Sequence, residues 1–334
     1  MLSETQIGDV STIEEDLPAY ILGLDVGGTK TAAVLATALG EVLDRSEIAT
    51  RPEEGFELSF ARVCAVGDEV LQRARESGRQ VTHIGVSIGG PLDVEQGIIY
   101  SPPNLPGWDA VPLKGRLEAH FGLRTVVEHD GMAGALAEHR YGAGKGMKHL
   151  VFLTLGTGLG AGLILNGKPY RGASGAAGSV GHVRMAEDGP VAWGKAGSWE
   201  SFSSGTGIGR LARWRYPDRF PEDVTAKEVA QRTIEQGDEA ALAVLREAGE
   251  YLGRGLAMLV DILSPEMIIL GSLAVRLGDH LLGPALEVLE KEAEPTALEA
   301  VRVVPSELGE RIGDLAPIAG LMARLESERE ALKR

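Results

Sequence analysis

Two glycine-rich turns, far apart in the chain, most constrain what it can fold into. The first is Asp25-Val26-Gly27-Gly28-Thr29-Lys30, between the apolar runs Tyr20-Ile21-Leu22-Gly23-Leu24 and Thr31-Ala32-Ala33-Val34-Leu35. The second is Thr154-Leu155-Gly156-Thr157-Gly158-Leu159-Gly160-Ala161-Gly162, between Leu150-Val151-Phe152-Leu153 and Leu163-Ile164-Leu165. Each reads as strand, tight turn, strand. Glycine has no β-carbon, so backbone N–H groups can face a cavity and gather around an anion. Two such turns predict two hairpins gripping a polyphosphate from two lobes. Their shared texture reads as an internal duplication, one strand-rich α/β unit per lobe.

A chain of 334 residues is long enough for two lobes. Its formal charge of −15 would repel a phosphate backbone, so no nucleic-acid partner is expected. The single cysteine, Cys64, excludes an internal disulfide and a multi-cysteine metal site, and reads as a buried small hydrophobe in a helix. No apolar stretch is long enough to cross a membrane. The start of the chain, through Pro18, is acidic and polar and lacks the basic start and apolar core of a signal peptide. The expectation is a flexible tail over 1–19 and a cytoplasmic protein with no membrane partner.

Along the chain, strands are expected at 41–45, 81–88, 97–100, 124–128, 267–270 and 301–304. Helices are expected at 56–76, 112–121, 132–141, 225–248, 248–263, 281–291 and 316–334, from apolar positions at helical spacing. The turn Gly89-Gly90-Pro91-Leu92-Asp93 follows a buried strand, with Asp93 read as support for the turn. Ser101-Pro102-Pro103-Asn104-Leu105-Pro106-Gly107-Trp108 has three prolines and a glycine and is irregular. The strand at 124–128 delivers His129 and Asp130 at its C-terminal end, where ligands gather in open α/β sheets. The stretch 172–209 is rich in glycine and polar groups, without clear periodicity.

From 20 to 325 the chain resembles the ROK family of bacterial sugar kinases and repressors. The motifs that carry the resemblance are Asp25-Val26-Gly27-Gly28-Thr29-Lys30, Gly89-Gly90-Pro91-Leu92-Asp93, Pro103-Asn104-Leu105-Pro106-Gly107-Trp108, Glu128-His129-Asp130-Gly131-Met132-Ala133, Leu155-Gly156-Thr157-Gly158-Leu159-Gly160 and Gly178-Ser179-Val180-Gly181-His182. Six motifs in family order are far more specific than one glycine turn, and the phrase around Asn104 is most similar to the glucokinase branch. The resemblance implies an α/β fold of two ribonuclease-H-like lobes, as in actin, Hsp70 and sugar kinases, with ATP and sugar in the interlobe cleft. It places a small N-terminal lobe at 20–131 plus 316–334, a large C-terminal lobe at 132–315, and a last helix that returns to the N-terminal lobe. It implies phosphoryl transfer from ATP to a sugar hydroxyl, usually on C6.

On that resemblance, Asp130 is the general base: a carboxylate within hydrogen-bond reach orients a sugar hydroxyl and accepts its proton. The competing role for Asp130 is helix N-cap, and both can hold. Asp25 is expected to hold Mg²⁺ directly or through water, since Mg²⁺ favours carboxylate and phosphate oxygens. Gly27, Gly28 and Thr29, with Gly156, Thr157 and Gly158, are expected to contact phosphate. Lys30 is equally readable as a phosphate partner or a solvated lysine. Gly271 and Ser272 stand at the nucleotide site, where the family usually has two glycines. Gly90, Asn104, Asp130, Ser179, His182 and Glu200 are the implied sugar contacts. Ser179, however, stands where the family usually has a glutamate, which puts a plain glucokinase reading in question.

Members of the family often bind zinc through the histidine of the Gly-His pair and three cysteines. Here Val191, Trp193 and Ser198 occupy the cysteine places. A structural zinc needs about four protein ligands, so no zinc is expected; Trp193 and Trp199 are read as holding the loop by packing. The leading function is therefore an ATP-dependent hexokinase of glucokinase type, with an N-acylhexosamine kinase as the nearest variant and a catalytically weak sugar sensor as a third. Repressor members carry an N-terminal DNA-binding domain. Only 24 residues precede Asp25, against about 50 for a domain, so a repressor is discounted. A homodimer or homotetramer is implied by the family alone.

Overall fold

Two five-stranded sheets of identical strand order organise the computed structural model, which describes residues 17–333. The flexible tail expected at 1–19 falls almost wholly outside the described residues. The first half contains β1 (Tyr20–Val26), β2 (Lys30–Thr37), β3 (Val42–Ala49), α1 (Phe56–Glu76) and β4 (Val81–Ile88). A small sheet of β5 (Leu92–Asp93), β6 (Ile98–Ile99) and β7 (Val111–Pro112) follows, then α2 (Leu113–Phe121), β8 (Arg124–His129) and α3 (Asp130–Tyr141). The second half runs β9 (Leu150–Leu153), β10 (Ala161–Leu165), β11 (Lys168–Pro169), a two-stranded ribbon of β12 (Val191–Ala192) and β13 (Lys195–Ala196), then α4 (Trp199–Ser203) and α5 (Gly205–Arg215). It ends with α6 (Ala226–Gln236), α7 (Glu239–Leu263), β14 (Met267–Leu270), α8 (Ser272–Leu277), α9 (Asp279–Glu292), α10 (Pro295–Ala300), β15 (Arg302–Pro305) and α11 (Ile312–Leu332).

The sheet orders are β3-β2-β1-β4-β8 and β11-β10-β9-β14-β15. In each, three antiparallel strands are followed by two that run parallel to the first. This shared topology is the physical form of the duplication suggested by the two glycine turns. β1 and β9 are apolar runs because each is a central strand covered on both faces.

Helices α3 and α11 lie against both sheets. Met132, Ala133 and Leu136 of α3 and Leu315 and Ala316 of α11 share a core with Leu150, Phe152 and Ile269 of the second sheet. One turn further, Ile318, Leu321 and Met322 of α11 pack on Ile21 and Val34 of the first sheet. Two glycines admit α11 to that sheet. A β-carbon on Gly85 would lie 2.0 Å from the Pro317 carbonyl oxygen, and one on Gly23 would lie 2.9 Å from the Ile318 side chain.

Several boundaries differ from those read in the sequence. The break expected at 248 lies at Gly237, whose φ of 62° suits glycine and ends α6, while Asp238 caps α7 by accepting the Ala240 N–H at 2.9 Å. Ala248 is fully buried inside α7. β3 extends to Ala49, α11 starts at Ile312, and two short helices, α4 and α5, stand in the stretch that had shown no periodicity. Each of those two starts at a serine cap, Ser198 and Ser204.

Gly85→Ala should lower stability by about 1–3 kcal/mol, the usual cost of overpacking, because a backbone carbonyl rather than a flexible side chain stands in the way. Thermal unfolding checks this; an unchanged Tm would mean that α11 does not lie against β4 as described.

Candidate active site

Strands β1, β4 and β8 run parallel and end level: Val26 pairs with Ile88, and Ile88 with His129. Asp25 therefore stands beside Ser87 on the next strand, and Asp130 opens α3 one residue beyond β8. These strand ends form one wall of a cleft of about 280 Å³. Asp25, Gly27, Gly28, Gly90, Asn104 and Asp130 line it from the first half, and Thr154, Gly271 and Ser272 from the second. Gly313 and Ala316 at the start of α11 complete the lining.

Asp25 is half-buried on the cleft floor. Loss of hydration pushes its carboxyl up to about 7; the Ser87 hydrogen bond opposes the rise and the negative charges of Asp130 and Asp314 add to it. A β-carbon on Gly313 would lie 2.7 Å from Asp25 Oδ2, so only glycine leaves this carboxylate its place. A carboxylate with this excess of negative charge around it fits a hard cation such as Mg²⁺.

Asp130 Oδ1 accepts the Gly131 N–H at 2.6 Å. The N-cap of α3 is His129, whose Nδ1 accepts the same N–H at 3.2 Å. Glu128, at the end of β8, is buried; its Oε1 accepts the His129 N–H at 3.0 Å, and its other oxygen binds the Arg171 guanidinium from the second half. Asp93 lies outside the cleft lining and ties its own turn, accepting Gln96 N–H at 2.9 Å, a bond that holds its carboxyl below the usual carboxylate range.

The first glycine turn is closed by Gly27 N–H on the Lys30 carbonyl at 3.0 Å. A β-carbon on Gly28 would lie 2.4 Å from the Asn104 carbonyl, so the proline-rich loop rests directly on this turn. Lys30 and Thr29 are exposed and outside the cleft lining; the Lys30 ammonium donates to Glu47 at 3.0 Å.

The remaining candidates gather around the second glycine turn. Glu200 Oε2 accepts the Leu159 N–H at 2.9 Å, and α5 joins the turn through Gly205 N–H on the Gly156 carbonyl at 2.8 Å and Thr206 N–H on the Thr157 carbonyl at 3.1 Å. Ser272, at the cleft, donates to the Leu155 carbonyl at 3.3 Å. A β-carbon on Gly181 would lie 2.3 Å from the Leu159 carbonyl, so the segment carrying Ser179 and His182 packs on the same turn. Gly156, Thr157, Gly158, Ser179, His182 and Glu200 are not among the residues lining the 280 Å³ cleft. Ser179 is exposed, and its hydroxyl donates to the Ala176 carbonyl at 2.9 Å.

The places of the zinc cysteines are filled by other contacts. Val191 pairs with Ala196 in the β12–β13 ribbon, the Trp193 ring lies 4.8 Å from that of His182, and the Ser198 side chain caps α4. Trp199 is buried against α7, where a β-carbon on Gly255 would lie 2.0 Å from its ring. Ser87, Arg171 and Gly313 stand at the cleft or behind it without having been singled out from sequence. Ser87 alone of the three carried a local signal, a hydroxyl in the apolar run of β4.

Aligned strand ends, two sheets of identical topology and a cleft between them define a protein of the actin, Hsp70 and sugar-kinase fold. The chain belongs to the ROK family, whose model matches residues 21–321. It is 32% identical over 306 residues to the glucokinase of Halalkalibacterium halodurans, covering 88% of this chain and 92% of that one. A ROK family glucokinase from Streptomyces griseus, solved in complex with glucose and AMPPNP, superposes with a TM-score of 0.75 at 31% identity over 90% of this chain and 98% of that chain. The chain is also 28% identical over 317 residues to the xylose repressor of Caldicellulosiruptor bescii, covering 92% of this chain and 79% of that protein. Among the described residues no helix is long and apolar enough to cross a membrane.

Two outcomes are expected. In Mg²⁺-free buffer, Asp25→Asn should raise Tm at pH 8, because the folded state must ionise an acid whose pKa has risen to about 7 from 3.8. The unfolded chain ionises it near the lower value, so the gain should shrink as pH falls and vanish below that value. A melting series from pH 4 to pH 8 measures it. Dialysis against a chelator should leave Tm unchanged, and metal analysis should find no zinc in stoichiometric amount.

Proposed function

We propose that this protein transfers the γ-phosphoryl group of ATP to a hexose, with the C6 hydroxyl of glucose as acceptor and Asp130 as general base. One observation carries the reading: Asp130, at the start of α3, shares a single cleft with Asp25 and with Gly271-Ser272. The residues read as base, metal holder and nucleotide contact come from both halves and line one space. The glucokinase relative and the structure solved with glucose and AMPPNP support it.

In this reading the sugar hydroxyl donates to the Asp130 carboxylate, which orients it toward phosphorus and takes its proton as the new O–P bond forms. Amides of Gly27 and Gly28, and of Gly156, Thr157 and Gly158, bind phosphate oxygens. Mg²⁺ bound with the nucleotide supplies charge neutralisation, with Asp25 holding it directly or through water. Asn104 and Gly90 contact the sugar from the first half, His182, Glu200 and Ser179 from the second. Enclosure between the halves keeps water from the phosphoryl group.

One observation favours an N-acylhexosamine kinase as the second reading. Ser179 is shorter than the glutamate implied at its place, and its hydroxyl is turned to the Ala176 carbonyl. A short uncharged group in place of a carboxylate at that position alters which hydroxyl pattern is accepted.

ADP release, measured with ATP and Mg²⁺ over glucose, mannose, fructose, N-acetylglucosamine and N-acetylmannosamine, tests both readings. Glucose should turn over fastest, and Asp130→Asn should lower kcat by about 10²–10⁴-fold. Faster turnover of an N-acylhexosamine would overturn the glucose assignment. Sugar binding without turnover on any acceptor would overturn the kinase reading in favour of a sensor.

A further inference from the structure

His129 stands where β8 becomes α3, and its ring is fixed on two sides. Its Nδ1 accepts the Gly131 N–H at 3.2 Å. On the other side, a β-carbon on Gly90 would lie 2.7 Å from its Cδ2, so the end of β4 closes over the ring. The same Nδ1 is 3.1 Å from Asp130 Oδ1, which also accepts the Gly131 N–H, at 2.6 Å. Two acceptors therefore meet at hydrogen-bond distance and share one donor. With the imidazole neutral and the carboxylate ionised, their lone pairs oppose each other across this gap. One added proton turns the opposition into a hydrogen bond. Asp130 Oδ2 points elsewhere, 3.8 Å from where a β-carbon on Gly89 would stand, on the cleft lining.

We propose that His129 is the proton partner of Asp130, so that the proton acceptor of the reaction is the pair rather than the carboxylate alone. The inference rests on the reading of Asp130 as general base. The sugar O–H bond breaks as its oxygen forms a bond to the γ-phosphorus of ATP, and the bond from that phosphorus to the β–γ bridging oxygen breaks to release ADP. The proton passes to Asp130 Oδ2, the oxygen on the cleft lining, and the neutral carboxyl no longer sets a full negative charge at Oδ1 against the His129 Nδ1 lone pair. That opposition exists only before transfer, so its relief favours the transferred state selectively. A second consequence follows at acid pH. An imidazolium formed before the sugar binds already donates to Oδ1 and removes the advantage. Among the described residues, the charged groups nearest the pair include Asp25, whose negative charge acts with that of Asp130 from β1, and Glu128 on β8, itself paired with Arg171. The end of β4 presents Gly89 and Gly90 only.

The test separates this role from simple capping. Asparagine is a good N-cap but holds no proton, so His129→Asn should keep Tm unchanged. It should lower kcat at pH 8 by about tenfold, less than loss of the base itself, with the KM values for sugar and ATP unchanged. The kcat advantage of the native protein over His129→Asn should shrink toward acid pH. His129→Ala, which loses the cap as well, should lose Tm in addition. The ¹⁵N NMR signal of His129 Nδ1 should change in Asp130→Asn, because an amide donor can then replace the carboxylate oxygen that faces it. That arm needs no turnover, so it remains decisive even if no sugar is phosphorylated. A His129→Asn enzyme with native kcat and pH profile, or a His129 Nδ1 signal indifferent to Asp130→Asn, would overturn the proposal.

Discussion

Where α3 crosses β10 the two backbones touch, and the site depends on that contact. A β-carbon on Gly162 would lie 2.1 Å from the Gly131 carbonyl, and one on Gly134 would lie 2.5 Å from the Phe152 ring. Any larger residue at these points would lift α3 off the second sheet. Because α3 begins directly after β8 of the first sheet, this close crossing sets its first residue, Asp130, between the two halves. The last glycine of the second turn therefore serves packing. The turn places Asp130 as much as it shapes a loop.

The C-terminal helix supplies the second constraint. Its first turn brings Gly313 against Asp25 and its middle lies on Gly85 and Gly23, so the floor of the cleft and the covered face of the first sheet are one construction. Charge adds to this unevenly. The buried Glu128 carboxylate with the Arg171 guanidinium joins the halves directly behind Asp130, and losing one partner there would strand a buried charge. The surface pairs, such as Arg116 with Glu57 or Lys168 with Glu330, are exposed and worth little each. Close backbone packing and one buried ion pair hold the geometry around Asp130.

Much of the fold was legible. The helix over 56–76 and the strands over 81–88 and 267–270 have the bounds their apolar patterns predict, because long periodic segments bury one stripe or one run whatever surrounds them. The start of α7 was not, although Gly237-Asp238 is a stop followed by a cap. α6 and α7 are both rich in alanine, and their continuous pattern hid the break. α4 and α5 escaped because each rests on a serine cap among many serines and glycines. Asp25, Asn104 and Asp130 line one cleft, whereas Lys30 is turned to Glu47 on the surface. Ser179, His182 and Glu200 collect around the second turn instead, held there by local hydrogen bonds that no spacing reveals.

By itself the sequence determined that two strand–glycine–strand units would form and which family these motifs belong to. Those properties live in neighbouring residues along the chain. Only the tertiary structure decided that Asp25 sits beside Ser87, that Gly313 packs closely on it, that Glu128 faces Arg171, and that Gly90 packs against the His129 ring. These pairings join strands and helices far apart in the chain. Strand register, close glycine contacts and the loss of water on burial create them, and none of the three exists until the halves have packed.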